Sequence, residues 1–218
     1  PAPVYGKERV SRWIVENGVK INNVLSISCL APAAGNASLL QTKEWYGMPS
    51  LHPESWTLEA FVKPDASAVR SGNAFIVGRG RYNPTANTYW KDFALYLQPD
   101  GKLGLAGRRV NPDAVGSGID YDYPDLGTSI ADGKWHHVAV TYDKPTRALA
   151  VWVDAAKVSE QVLASDQFDN LKGRYHFAQG FGMEAYVGSI DEVRLTGAVL
   201  SADELLKAYH TGLAIILR

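Results

Sequence analysis

The chain has one cysteine, Cys29, so no disulfide forms within it. Its surroundings, VLSISCL, are apolar, and burial as a small hydrophobe is the expected state of such a thiol. One cysteine neither requires nor excludes export. Long hydrophobic runs are missing as well: none approaches the ~20 residues of a membrane span. Pro1-Ala2-Pro3 opens the chain without the charged and apolar regions of a signal peptide, as the start of a mature or excised chain would. Neither sign of charge dominates. Lys and Arg number 22 against 23 Asp and Glu, a formal net charge of -1, so no basic footprint points to nucleic acid or an anionic membrane. The sequence also lacks a Gly-x-Ser-x-Gly elbow, a Gly-rich phosphate loop and a metal-spaced Cys/His cluster. Helical periodicity is nearly absent, which argues against a parallel α/β fold, because parallel strands need crossover helices.

What remains is a succession of short strands. Hydrophobic residues make up 46% of the 218, enough for a sizeable core. The clearest stretch is DGKWHHVAVTYD followed by LAVWVDAAKV. Val138, Val140 and Tyr142 alternate with His137, Ala139 and Thr141; Leu149, Val151 and Val153 alternate with Ala150 and Trp152. Asp143-Lys144-Pro145-Thr146 between them is a turn, since Pro fixes φ and cannot donate to a ladder. Trp56 to Val62 alternates as cleanly and ends at Lys63-Pro64-Asp65. Asn17-Gly18 signals an early hairpin, and Val24 to Leu30 reads as the next strand. Ala74 to Val77, Phe93 to Leu97, Leu103 to Arg109 and Tyr186 to Val193 are further strands. Residues 81–92 and 111–127 have no period and are expected to be loops, and 161–182 is weakly patterned.

One helix is expected near the C-terminus. Ser201-Ala202-Asp203-Glu204 places a hydroxyl at the N-cap and a carboxylate three residues on, a capping box, and Gly212 is a stop signal. The whole reads as all-β: a two-sheet antiparallel β-sandwich with one short C-terminal-region helix. Residues 1–218 are expected to form a single domain, with 1–11 as an N-terminal arm.

Three stretches then fall in order: WTLEAFVKPD at 56–65, the paired strands within 132–158, and VGSIDEVRLTGAVLSADEL at 187–205. Together they resemble the laminin G-like, concanavalin A-like lectin/glucanase jelly roll, the group that includes pentraxins. These are scaffold motifs and speak for fold more than for ligand. The resemblance implies a secreted or cell-surface module, calcium in some members, and Asp191 as the one residue carried over as a calcium ligand. The Asp-Gly pair that donates early in related modules reads Gly35-Asn36 here, without a carboxylate. A turn-capping acid is the competing role for Asp191.

Glycan-cleaving members carry paired acids on one strand, with carboxylates about 5 Å apart on one face. That motif is absent. Asp191-Glu192 are adjacent, so on a strand they point to opposite faces. Asp120 and Asp122 share a parity but fall in an expected loop. His136-His137 cannot chelate one ion from a regular strand for the same reason.

The segment from Arg79 to Asp92 carries a sugar-binding kit: Arg79, Arg81, Tyr82, Asn83, Tyr89 and Trp90, with Arg108 close by across a hairpin. A flat aromatic ring suits the apolar side of a pyranose, and planar polar groups suit its hydroxyls. Several arginines beside aromatics suit an acidic glycan. Tyr89 and Trp90 read equally as anchors over the sandwich edge; Arg109, Tyr121 and Tyr123 are secondary candidates. The expected function is a non-catalytic, lectin-like carbohydrate-binding module of a larger secreted glycan-processing or sialidase-like protein. Its partner is a glycan or an extracellular protein. A protein-interaction or spacer domain is the alternative, and a glycoside hydrolase or lyase with a non-standard site the weaker one.

Overall fold

The computed structural model describes residues 12–16, 19–25, 40–41, 53–83, 88–110, 118–165, 174–178 and 180–206. Fourteen strands lie among them: β1 (Arg12–Glu16), β2 (Val19–Leu25), β3 (Leu40–Gln41), β4 (Trp56–Pro64), β5 (Ala74–Asn83), β6 (Thr88–Leu97) and β7 (Leu103–Val110). There follow β8 (Gly118–Leu126), β9 (His136–Asp143), β10 (Ala148–Val153), β11 (Ala156–Val162), β12 (Arg174–Phe177), β13 (Glu184–Ala185) and β14 (Gly188–Thr196). One sheet has the order β1-β2-β14-β4-β9-β10-β11; the other is β3-β12-β5-β6-β7-β8, with β13 pairing β5. Every pairing is antiparallel except that of β13 with β5. This is the expected all-β, two-sheet jelly-roll sandwich.

The alternation in the sequence becomes the core. Trp56, Leu58, Ala60 and Val62 of β4 face Val138, Val140 and Tyr142 of β9, and behind these lie Leu149 and Val151 of β10. Across the sandwich they meet Phe93, Leu95 and Leu97 of β6 and Leu103 and Leu105 of β7. Trp56 stacks on Phe93, ring centroids 4.7 Å apart. Burial of this apolar surface drives the sheets together.

Several expectations are corrected. Residues 81–83 and 88–92 are strand rather than loop: Arg81, Tyr82 and Asn83 pair with Trp90, Tyr89 and Thr88. Residues 118–126 form β8 rather than a loop. The second early strand is β2, paired with β1 through Glu16↔Val19 and ending at Leu25; residues 26–30 lie outside the described part, as does the arm 1–11. Of the weakly patterned region 161–182, β12 takes Arg174–Phe177 and the end of β11 reaches Val162. The expected helix is a turn at 202–204 as far as the description reaches, and 207–218 lie outside it. One half of its capping box is present: the Ser201 amide donates to the Glu204 carboxylate at 2.8 Å, as does the Ser201 hydroxyl, while the Glu204 amide donates to the Ser201 carbonyl.

A second hairpin joins β10 to β11 through Asp154 and Ala155, both at positive φ (50° and 63°). Asp154 clips this turn to the start of β9. Its Oδ1 accepts from the His137 amide at 2.9 Å, while Oδ2 contacts His136 Nδ1 at 2.9 Å. His136 Nε2 meets Asp132 at 3.0 Å. Burial pushes the His136 pKa down, but the bonds to Asp154 and Asp132 outweigh it and the value lies above the usual histidine range. A raised folded-state pKa gives stability that is complete below the unfolded value, about 6.5, and is lost as pH rises through the folded value. His136→Ala is therefore expected to destabilise most in mild acid, with the gap to the unsubstituted protein narrowing as pH rises. Denaturant melts across that range check it; a gap that widens with pH contradicts the clip.

Candidate ligand-binding site

β7 alternates between the core and the outer face: Leu103 and Leu105 enter the core, while Gly104, Ala106 and Arg108 point away from it. On β8, Asp120 pairs with Arg108 and Asp122 with Ala106, so both acids share that outer face. The glycines set close approaches. A Cβ at Gly104 would lie 2.2 Å from the Tyr96 ring, so the ring lies flat across bare backbone and its hydroxyl reaches Asp122 at 2.6 Å. Burial pushes the Tyr96 hydroxyl up, and the bond to Asp122 adds to it. At Gly118 a Cβ would lie 2.1 Å from Arg108 Nε, so the arginine lies across β8 in the same way. Its Nη1 donates to both Asp120 oxygens, at 3.0 and 3.2 Å.

The β6 arm is re-aimed by a bulge. Arg79 pairs with Phe93 but Gly80 pairs with Lys91, so Asp92 is the extra residue. Past the bulge Trp90, half-buried, comes to Arg108, whose guanidinium carbon is 6.0 Å from the indole centroid. Trp90, Arg108 and Asp120 thus form one surface.

Inside the bulge the chemistry differs. Arg79 faces the core, and its Nε meets Asp92 Oδ2 at 2.7 Å, with both side chains at most 4% exposed. Burial lowers the Arg79 pKa and Asp92 raises it, with a net rise. Arg109 is buried over the Tyr142 ring, 4.4 Å from its centroid, and burial lowers its pKa. The Tyr121 hydroxyl donates to the Asp92 carbonyl at 2.7 Å, and Tyr121 stacks on Tyr123. This approach passes over Gly107, where a Cβ would lie 2.3 Å from that hydroxyl and 2.4 Å from the Asp92 carbonyl. Gly107→Ala is expected to cost about 1–3 kcal/mol by overpacking, read from urea unfolding; an unchanged midpoint contradicts the packing.

The structure therefore divides the expected ligand set. Trp90 and Arg108 are brought together. Arg79 is buried in the core against Asp92. Arg81, Tyr82, Asn83 and Tyr89 sit on paired strands, and their side chains lie outside the description. Asp120, on β8 rather than in a loop, joins Trp90 and Arg108; its alternation with Ile119 and Tyr121 is the signal the sequence carries.

The family model of the concanavalin A-like lectin/glucanases superfamily matches residues 36–206. The chain belongs to this superfamily. No curated protein matches it by sequence. Similar solved structures include the Ruminococcus gnavus IT-sialidase CBM40, at 18% identity over 69% of this chain and 80% of that one, TM-score 0.55. The same domain bound to α2,3 sialyllactose matches at 19% over 70% and 80%, TM-score 0.53. The binding domain of botulinum neurotoxin DC in complex with SialylT matches at 9% over 87% of this chain and 48% of that one, TM-score 0.53. At these identities the likeness is one of fold.

At the position of the expected calcium ligand, Asp191 Oδ1 accepts from the next amide, of Glu192, at 2.9 Å, beside a register shift in β14. Among the described residues no three His, Cys, Asp or Glu side chains converge to hold a metal ion. Gly35-Asn36 lie outside the described residues. For hydrolysis, Asp120 and Asp122 do share a strand face, contrary to the loop expectation, but each carboxylate is bonded to its own neighbour, Arg108 or Tyr96. No described helix is long and apolar enough to cross a membrane.

Proposed function

We propose that this chain is a non-catalytic carbohydrate-binding module whose ligand surface is centred on Trp90, Arg108 and Asp120. The observation that carries the reading is the meeting of an indole, a guanidinium laid across bare strand backbone and an exposed carboxylate on one sheet face. An indole offers an apolar platform to a pyranose ring, and the charged pair offers donor and acceptor to its hydroxyls. Support comes also from fold relatives described as carbohydrate-binding or bound to sialyl glycans. The module acts outside the cell, as part of a larger glycan-processing protein.

The test is a glycan array followed by calorimetry on the folded chain. Trp90→Ala is expected to weaken binding at least about tenfold, the loss of one stacking platform. No binding to any glycan, or binding indifferent to Trp90, overturns the reading. Turnover of a polysaccharide that is lost in Asp122→Asn would replace it with a hydrolase.

A further inference from the structure

We infer that this surface takes a neutral, hydroxyl-rich saccharide through a pair of adjacent hydroxyls, and discriminates against acidic glycans. The inference rests on the carbohydrate-binding reading above and names its ligand class. An arginine beside an aromatic suggests an anion site where no carboxylate already holds it. Arg108 Nη1 is held by both oxygens of Asp120, and Arg79, another arginine of the expected site, is locked to Asp92 in the core. The exposed charge is also of the wrong sign for an acid: the Asp120 side chain is 75% exposed and that of Arg108 25%. An approaching carboxylate or sulfate meets Asp120 first.

Asp122 lies two residues from Asp120 on the same face and adds a second carboxylate to it. A vicinal diol fits instead. One hydroxyl accepts from the Arg108 guanidinium while its neighbour donates to Asp120, so both charged groups keep a partner and neither is stranded. Trp90 beside Arg108 receives the apolar face of the same ring. An acidic ligand would have to displace Asp120 and leave that carboxylate beside its own charge.

The test sets a panel of neutral oligosaccharides against their sialylated, uronic and sulfated counterparts, using the unsubstituted chain and Asp120→Asn. Neutral glycans are expected to bind more tightly than their acidic counterparts. Asp120→Asn should weaken neutral binding about tenfold or more and raise binding of the acidic set by freeing Arg108. A thermal melt confirms that the variant is folded, as expected for an exposed carboxylate. Preference of the unsubstituted chain for acidic glycans overturns this inference and leaves the carbohydrate-binding reading standing; so does neutral binding indifferent to Asp120→Asn. A blank across the whole panel overturns both.

Discussion

Glu59→Ala is expected to destabilise the fold by about 3–5 kcal/mol, the cost of removing one partner from a buried ionic network. Glu59 lies in the middle of β4, 1% exposed, and faces away from the sandwich core. Its carboxylate gathers three donors from distant parts of the chain. His137 Nε2 on β9 meets Oε2 at 2.9 Å, Arg194 Nε on β14 donates to Oε1 at 2.6 Å, and the Leu206 amide donates to Oε2 at 2.8 Å. Arg194 goes on to the Glu204 carbonyl at 3.0 Å. Thr57, two residues earlier on the same face, donates to the Ala198 carbonyl and accepts from the Leu200 amide. The network therefore pins residues 198–206 onto the outer face of the first sheet. Alanine leaves Arg194, His137 and an amide facing an empty site. Glu59→Gln keeps the shape but turns an amide donor toward donors, so an intermediate loss is expected. Urea unfolding measures the loss, and limited proteolysis near residue 206 should quicken in step. A loss under about 1 kcal/mol, the size of a surface pair, would show that the carboxylate is not the clamp.

This network marks the limit of what the sequence makes legible. Strands with one face in the core, such as β4, β9 and β10, announce themselves by alternation, and the turn at Asp143 to Thr146 by its chemistry. Their cross-strand registers follow, Val140 against Val151 and Leu58 against Val140. The hidden strands are those without an apolar face. β11 is an edge strand with mostly exposed residues, and β8 alternates tyrosines with aspartates, which reads as a polar loop until both faces are seen. The candidate site suffers most from a charge problem. A line of arginines and aromatics from Arg79 to Trp90 shows that the pieces exist, but not which guanidinium is already paired. Arg79 and Arg108 look alike in sequence. A one-residue bulge at Asp92 sets a carboxylate against Arg79 in the core and brings Trp90 to Arg108. Bulges leave no clear mark in a single sequence, so the division between core pair and surface site appears only in three dimensions.

That division makes a second large effect at Asp92. Asp92→Asn is expected to cost about 3–5 kcal/mol, and more than Arg79→Met. The asymmetry follows from the charges enclosed there. Two arginines, Arg79 and Arg109, are buried near one carboxylate, which favours the charged form of each, while Arg79 disfavours that of Arg109. Removing Asp92 leaves two like charges in a low-dielectric interior. Removing Arg79 leaves the carboxylate with Arg109 still attracting it. The Tyr121 bond to the Asp92 carbonyl survives either change, since it is a backbone contact. Replacing both partners, as Arg79→Met with Asp92→Leu, should recover part of the loss, because no buried charge of the pair is then stranded. A double-mutant cycle of Arg79→Met, Asp92→Leu and the two together, from denaturant unfolding, reads the coupling. Additive single losses, or a smaller loss for Asp92→Asn than for Arg79→Met, would contradict the buried pair. Arg79→Met should also leave glycan affinity unchanged in the folded protein, since its guanidinium is enclosed in the core. A selective loss of binding there would return Arg79 to the ligand surface.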